Sequence, residues 1–139
     1  MADTNDWNSR VIEEFRTNGG KVRGPFEGAS LLLLTTTGAK SGQPRTLPLM
    51  YLPDRDRMVI FGSKAGAPTN PDWYHNLIAH PQASVEVGSE TFAVTATVAS
   101  GEEEDRLYAS QAEKYPQFAE YQTKTTRKIP VIILERLKG

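Results

Sequence analysis

Between Leu31 and Ser63 the chain holds three extended segments and nothing that reads as a helix. That absence constrains the fold more than any other feature. Parallel neighbours need a long crossover, usually a helix, so strands laid down in direct succession pair antiparallel. The run "LLLLTTT" at 31–37 is continuously apolar and then threonine, which suits a buried strand. "RTLPLMYL" at 45–52 is a second extended piece, and Pro48 removes a ladder donor, which places it at a sheet edge or a bulge. "DRDR" at 54–57 is a turn, and "MVIFGS" at 58–63 is a third strand. "ASVEVG" at 83–88 and "ETFAVTATV" at 90–98 alternate apolar and polar about Gly88-Ser89, a hairpin. "IPVIILERL" at 129–137 is the last strand. Six strands in 139 residues predict a mainly β (α+β) chain, an antiparallel barrel or sandwich. The length fits one domain over 1–139, with 1–20 a helical lead-in.

The helices lie outside that block. Residues 6–17 carry Trp7, Val11 and Phe15 at steps of four, one apolar stripe ended by "NGG" at 18–20. The stripe has two readings, packing on the domain or peripheral contact with a membrane surface. Its opposite face is mixed rather than basic, which favours packing. Asn70 reads as an N-cap with Pro71 at the first helical position of "NPDWYHNLIAH". Ser100 and Glu103 have capping-box spacing, and the acids at 102–105 suit the helix N-terminus. A short helix is expected from Pro116 to Gln122.

Composition excludes several functions. Sixteen basic and seventeen acidic side chains give a net charge of -1, so a general nucleic-acid binder is not expected. There is no cysteine, which removes disulfides and thiolate nucleophiles and is compatible with a reducing cytosol. No apolar run approaches the roughly 20 residues of a membrane span. The opening "MADTNDWNSR" is polar and acidic, unlike a secretory leader. His75 and His80, five apart, diverge by roughly 140° on a helix, so no metal pair is expected. No phosphate-binding GxxxxGK[ST] loop, no GxGxxG and no hydrolytic triad spacing is present.

Three stretches carry chemistry. In "TTTGAKSGQPR", 35–45, Gly38, Ser41 and Gly42 expose backbone donors between Lys40 and Arg45, with no acid in the turn. Arg45 can grip a phosphate or carboxylate with two donors at once. An anion clamp and an ordinary solvated hairpin fit this turn equally well. In "FGSKAGAPTNPDWYHNL", 61–77, the small residues Gly62, Ala65, Gly66 and Ala67 admit a flat ligand close to the backbone. A helix start follows, with Trp73 and Tyr74, one of which is expected in the core. In "EKYPQFAEYQTKTTRKIP", Tyr115, Phe118 and Tyr121 recur every three residues, a pattern more often core than ligand wall. Clamp, platform and aromatic wall together suit a protein that borrows its chemistry from a bound cofactor.

Segments "TTTGAKSGQPRTLPLMYL", "GSKAGAPTNPDWYHNLIAHPQASVEVG" and "EKYPQFAEYQTKTTRKIPVIILER" occur in order over most of 30–136. In them the chain resembles the deazaflavin-dependent nitroreductase family of actinobacteria, split antiparallel β-barrels of the flavin-reductase-like kind that use reduced coenzyme F420. The resemblance implies that Ala39, Lys40, Ser41 and Arg45 hold the coenzyme's phosphate and acidic tail, and that Thr46, Leu47, Pro48, Leu49 and Met50 line its groove. Phe61, Gly62, Ser63 and Lys64 would run beside the ring, and Asp72, Trp73, Tyr74, His75 and Asn76 would complete the site. Ser63, Tyr115, Phe118 and Tyr121 would meet the substrate, with Ser63 and Tyr115 as the catalytic donors. Phe118 stands where the nitroimidazole-activating member has tyrosine, so the implied reaction is hydride transfer from F420 to a quinone-like electrophile, with weak nitroreductase activity. Two rivals share the same residues: an FMN-binding split-barrel oxidoreductase and a carrier that binds F420 without turnover. A cytoplasmic monomer or homodimer, in contact with the inner face of the membrane through its N-terminal helix on the second reading of the stripe, completes the expectation.

Overall fold

The structure is a computed structural model and describes residues 2–19, 30–63, 70–125 and 128–137, with side chains from residue 9 onward. The elements are α1 (Ala2–Thr17), β1 (Leu31–Thr37), β2 (Pro44–Met50), β3 (Leu52–Asp54), β4 (Arg57–Phe61), α2 (Asp72–Ala79), β5 (Gln82–Val87), β6 (Glu90–Val98), α3 (Gly101–Lys114), α4 (Gln117–Thr123) and β7 (Val131–Arg136). The seven strands form one sheet in the order β2-β1-β5-β6-β7-β4-β3, antiparallel throughout.

That order dictates the shape. β2 and β3 lie at opposite ends of the sheet, yet only Tyr51 separates them in the chain. Two peptide steps reach at most about 7.6 Å. Seven strands laid flat would hold their edges about 29 Å apart. The sheet therefore curls until its edges meet at Tyr51, whose N–H donates to the Ser30 carbonyl at 3.0 Å. The expected count of six strands becomes seven here. The second extended piece changes partner at Tyr51, from β1 to β4, where Leu52 sits opposite Val59. Pro48 lies on edge strand β2, which pairs with β1 alone, so its missing donor interrupts no second ladder.

The curled sheet has two covered faces, which explains the unbroken leucine run. Leu32 and Leu34 point into the barrel with Met58, Ile60, Trp73, Val85, Val94, Ile132 and Leu134. Leu31 and Leu33 point outward beneath Val11 and Phe15 of α1. The apolar stripe of α1 is thus spent on β1, with Phe15 only 1% exposed. Arg16 adds a two-pronged contact to Glu86, at 2.9 and 2.7 Å. The side chain of Trp7 lies outside the described residues. A second outer layer forms where α3 and α4 cover Val59, Phe61, Val131 and Ile133.

Turns and ends follow local chemistry. Gly88, at φ +60 with Ser89 outside the positive region, takes the first central position of a II′-type hairpin turn. Two expected caps are corrected. Pro71, not Asn70, is the N-cap of α2: its backbone is extended, and the helix starts at Asp72. Ser100 caps α3 by position but makes no side-chain cap bond, and the Glu103 carboxylate pairs instead with Arg57, at 3.1 Å. Arg57 also holds Asp54, and Arg106 lies 3.6 Å from the same carboxylate, which ties the β3–β4 turn to α3. Glu104 and Asp105 pair with Lys128 at 3.1 and 3.5 Å. The acids at 102–105 are helix-end and ion-pair groups.

Two outcomes follow. Phe15→Ala empties a fully buried ring site and is expected to cost about 3 kcal/mol, read from the urea midpoint. The hydrogen bond from Arg57 holds the Asp54 carboxyl below its ordinary range, against the opposing pull of burial. A lowered folded pKa gives stability that is present above the unfolded value and lost as pH falls through the folded one. The stability difference between wild type and Asp54→Asn is therefore flat from pH 7 to 5 and shrinks below about pH 4.

Candidate functional site at the β1–β2 rim

The turn joining β1 to β2 is closed from within. The Gly38 N–H donates to the Gln43 carbonyl at 2.8 Å, and the Gly42 N–H to the Gly38 carbonyl at 3.0 Å. The Ser41 hydroxyl accepts from the Gln43 N–H at 3.2 Å. Gly42 has φ +70, and a Cβ on Gly38 would stand 2.4 Å from Ser41 Oγ. Ala39, Lys40, Ser41 and Arg45 are exposed on this frame. Neither Lys40 nor Arg45 makes an ion pair with a described residue. Arg45 sits opposite buried Thr36, so the two-residue strand period sets it on the barrel face with Leu47 and Leu49.

Helix α2 abuts this turn. Trp73 and Leu77 sink into the barrel core, which settles which of Trp73 and Tyr74 is the core residue. Tyr74 is half-buried with its ring 5.5 Å from that of His75, while Asp72 and His75 are exposed. Asn76 shares the buried face. Its Oδ1 accepts from the Ala39 N–H at 2.9 Å, and its Nδ2 donates to Thr36 Oγ1 at 3.0 Å. The other end of α2 touches the end of β4: a Cβ on Gly62 would lie 2.7 Å from Pro130 Cγ and 3.4 Å from Pro71 Cδ. The Gly62 N–H donates to the Pro130 carbonyl at 2.9 Å. Glycine is required there by the close approach of the Pro130 ring, with Pro71 at ordinary contact on the other side. Buried Ser63 follows, and Lys64 with the small residues 65–67 lies outside the described residues.

The remaining expected residues divide between faces. On β2, Leu47 and Leu49 line the barrel, Met50 packs beneath α1, Pro48 is buried, and Thr46 Oγ1 lies 2.7 Å from Thr35 Oγ1. Phe61 points outward and meets Tyr108 and Phe118 edge-on, each at 5.8 Å. Phe118 is a core ring, 7% exposed, with Tyr121 at 5.2 Å and Tyr115 at 6.5 Å; those two tyrosines remain half-buried. The three-residue recurrence does not put Tyr115, Phe118 and Tyr121 on one helix, because α3 stops at Lys114 and Tyr115 is its extended C-cap. Tyr108, whose hydroxyl donates to the Phe118 carbonyl, escaped the sequence reading, and so did Thr36. A buried threonine at the end of a leucine strand was the signal for Thr36.

The structure thus joins the first two chemical stretches through α2, and the third through Phe61. Comparison with known proteins gives this arrangement a family. A family profile described as F420H(2)-dependent quinone reductase matches residues 7–136. An F420H(2)-dependent quinone reductase of Mycobacterium tuberculosis strain H37Rv is 41% identical over 126 residues, covering 88% of this chain and 85% of the relative. The solved structure of an F420-H2 dependent reductase, FDR-A, is 44% identical at TM-score 0.70, covering 76% of this chain and 94% of that one. A structure described as a domain-swapped dimer is 39% identical at TM-score 0.72, covering 95% and 96%. With its curled antiparallel sheet and a matching profile over nearly its whole length, the chain belongs to the F420H(2)-dependent quinone reductase family.

Proposed function

We propose that the chain reduces a quinone with reduced coenzyme F420, holding the coenzyme's anionic tail at the β1–β2 turn. The observation that carries this reading is an internally hydrogen-bonded, acid-free turn presenting Lys40 and Arg45 without ion-pair partners among the described residues. Such a turn fits a phosphate and a carboxylate-bearing tail, since charge-assisted contacts are strongest where no internal acid competes. Lys40, Ser41 and Arg45 would hold the tail, with the backbone of Ala39 beside them. Thr46, Leu47, Pro48, Leu49 and Met50 would form the groove wall. Phe61, Gly62, Ser63 and Lys64 would border the ring, and Asp72, Trp73, Tyr74 and His75 would close the site from α2, with Asn76 behind them, its amide held inward by Ala39 and Thr36.

When bound, the coenzyme supplies a hydride. The chain's part is to bind, orient and stabilise. The close-packed Gly62 segment gives the ring a fixed backing, and fixed geometry sets the donor–acceptor distance. Ser63 and Tyr115 would offer hydroxyls to the acceptor oxygen that gains charge, as preorganised donors. Phe118 and Tyr121 would complete the acceptor wall; the phenyl ring of Phe118 adds no donor of its own, which supports quinones over nitro compounds. Among the described residues no helix is long and apolar enough to cross a membrane. The domain-swapped relative supports a homodimer, which light scattering on the purified protein distinguishes from a monomer.

Mixing the protein with reduced F420 and menadione is expected to oxidise the coenzyme well above background; no oxidation above background overturns the proposal. Replacing Lys40 and Arg45 together by alanine is expected to weaken F420 binding by about 3 kcal/mol or more and to flatten its salt dependence. Gly38→Ala displaces the Ser41 hydroxyl and is expected to weaken F420 binding, whereas Gly42→Ala, with open space around it, costs about 1 kcal/mol of folding stability through its φ alone.

A further inference from the structure

We infer that Asn76 is a positioning residue: it fixes the cation-bearing turn relative to the end of β4, so that a coenzyme held by its tail presents its ring at Ser63. This rests on the F420 reading above. Asn76 is 8% exposed, and its amide works inward on two partners, one on the turn and one on β1. The Ala39 N–H that it holds immediately precedes Lys40 and Ser41. Thr36, 1% exposed, lies opposite Arg45 in the β1–β2 register. One side chain therefore sets the backbone beneath both cations.

Helix α2 carries that constraint to the ring end. Trp73 and Leu77, on the same buried face as Asn76, anchor the helix in the barrel core. Its N-cap, Pro71, packs against Gly62, the residue before Ser63. From Asp72 to Asn76 the helix rises about 6 Å, little more than one turn. Tail clamp and ring platform are thus joined by one short strut with a hydrogen-bonded clasp at one end and a close-packed glycine at the other. Loss of the clasp leaves both cations in place and frees their spacing from the ring. The binding energy of a remote tail then no longer serves orientation at the reacting centre.

The test compares two reduced cofactors: F420 itself, and a truncated deazaflavin that keeps the ring and ribityl chain but lacks the phosphate and tail. Binding and single-turnover hydride transfer to menadione are measured for wild type, Asn76→Ala, Thr36→Val and Thr36→Ser. With F420, Asn76→Ala is expected to lose about ten-fold in both affinity and rate, and Thr36→Val about three-fold, as removal of one or two hydrogen bonds would give. Thr36→Ser keeps the hydroxyl and matches wild type. With the truncated cofactor all four proteins behave alike. Equal losses with both cofactors would make Asn76 a ring contact or a purely structural group and overturn the inference, as would no loss with F420. If Asn76→Ala does not fold, the Thr36→Val and Thr36→Ser pair decides: a tail-dependent loss supports the clasp, and its absence overturns it. Failure of the wild type to oxidise F420 overturns the functional reading instead.

Discussion

Everything in this molecule depends on a covalent constraint at Tyr51. Two strands that stand at opposite edges of the sheet are consecutive in the chain, one residue apart. No flat arrangement satisfies that, so the sheet must close on itself. Closure creates an inside for Leu32, Leu34, Ile60 and Leu134, and it brings the β1–β2 turn and the end of β4 around a common rim. Burial also raises the pKa of the Tyr51 phenol, in keeping with a side chain drawn into the seam rather than left in water.

Closure leaves an outer surface that is still apolar at alternate positions, and the helices divide it. α1 takes Leu31 and Leu33, while α3 and α4 take Val59, Phe61, Val131 and Ile133. α2 differs: it plugs the barrel end with Trp73 and Leu77 and carries Asn76 to the rim. The site is therefore assembled from pieces whose first task is to finish the core, and its polar groups are held by that same packing.

Much of this was legible in the residues. The helix-free stretch from Leu31 to Ser63 forced antiparallel pairing, alternation around Gly88-Ser89 marked the hairpin, and Pro48 marked an edge. The acid-free turn with Lys40 and Arg45 stood out because its charges have no local partner. What escaped depends on contacts distant in sequence. The partner change at Tyr51 is set by β4, not by local pattern. The Asn76–Thr36 bond spans 40 residues, so neither side chain announces the other. The Glu103 carboxylate pairs with Arg57, 46 residues away, a contact that capping-box spacing does not register.

Phe118 has a consequence for how such a protein can change. Its ring touches the rings of Phe61, Tyr108, Tyr115 and Tyr121 at once, and its carbonyl receives the Tyr108 hydroxyl. A residue so placed cannot vary for acceptor preference alone. Any new side chain there must also satisfy four aromatic neighbours, so an altered substrate range would arrive coupled to altered folding stability. Diversification at this wall would favour half-buried Tyr121, where fewer contacts are at stake.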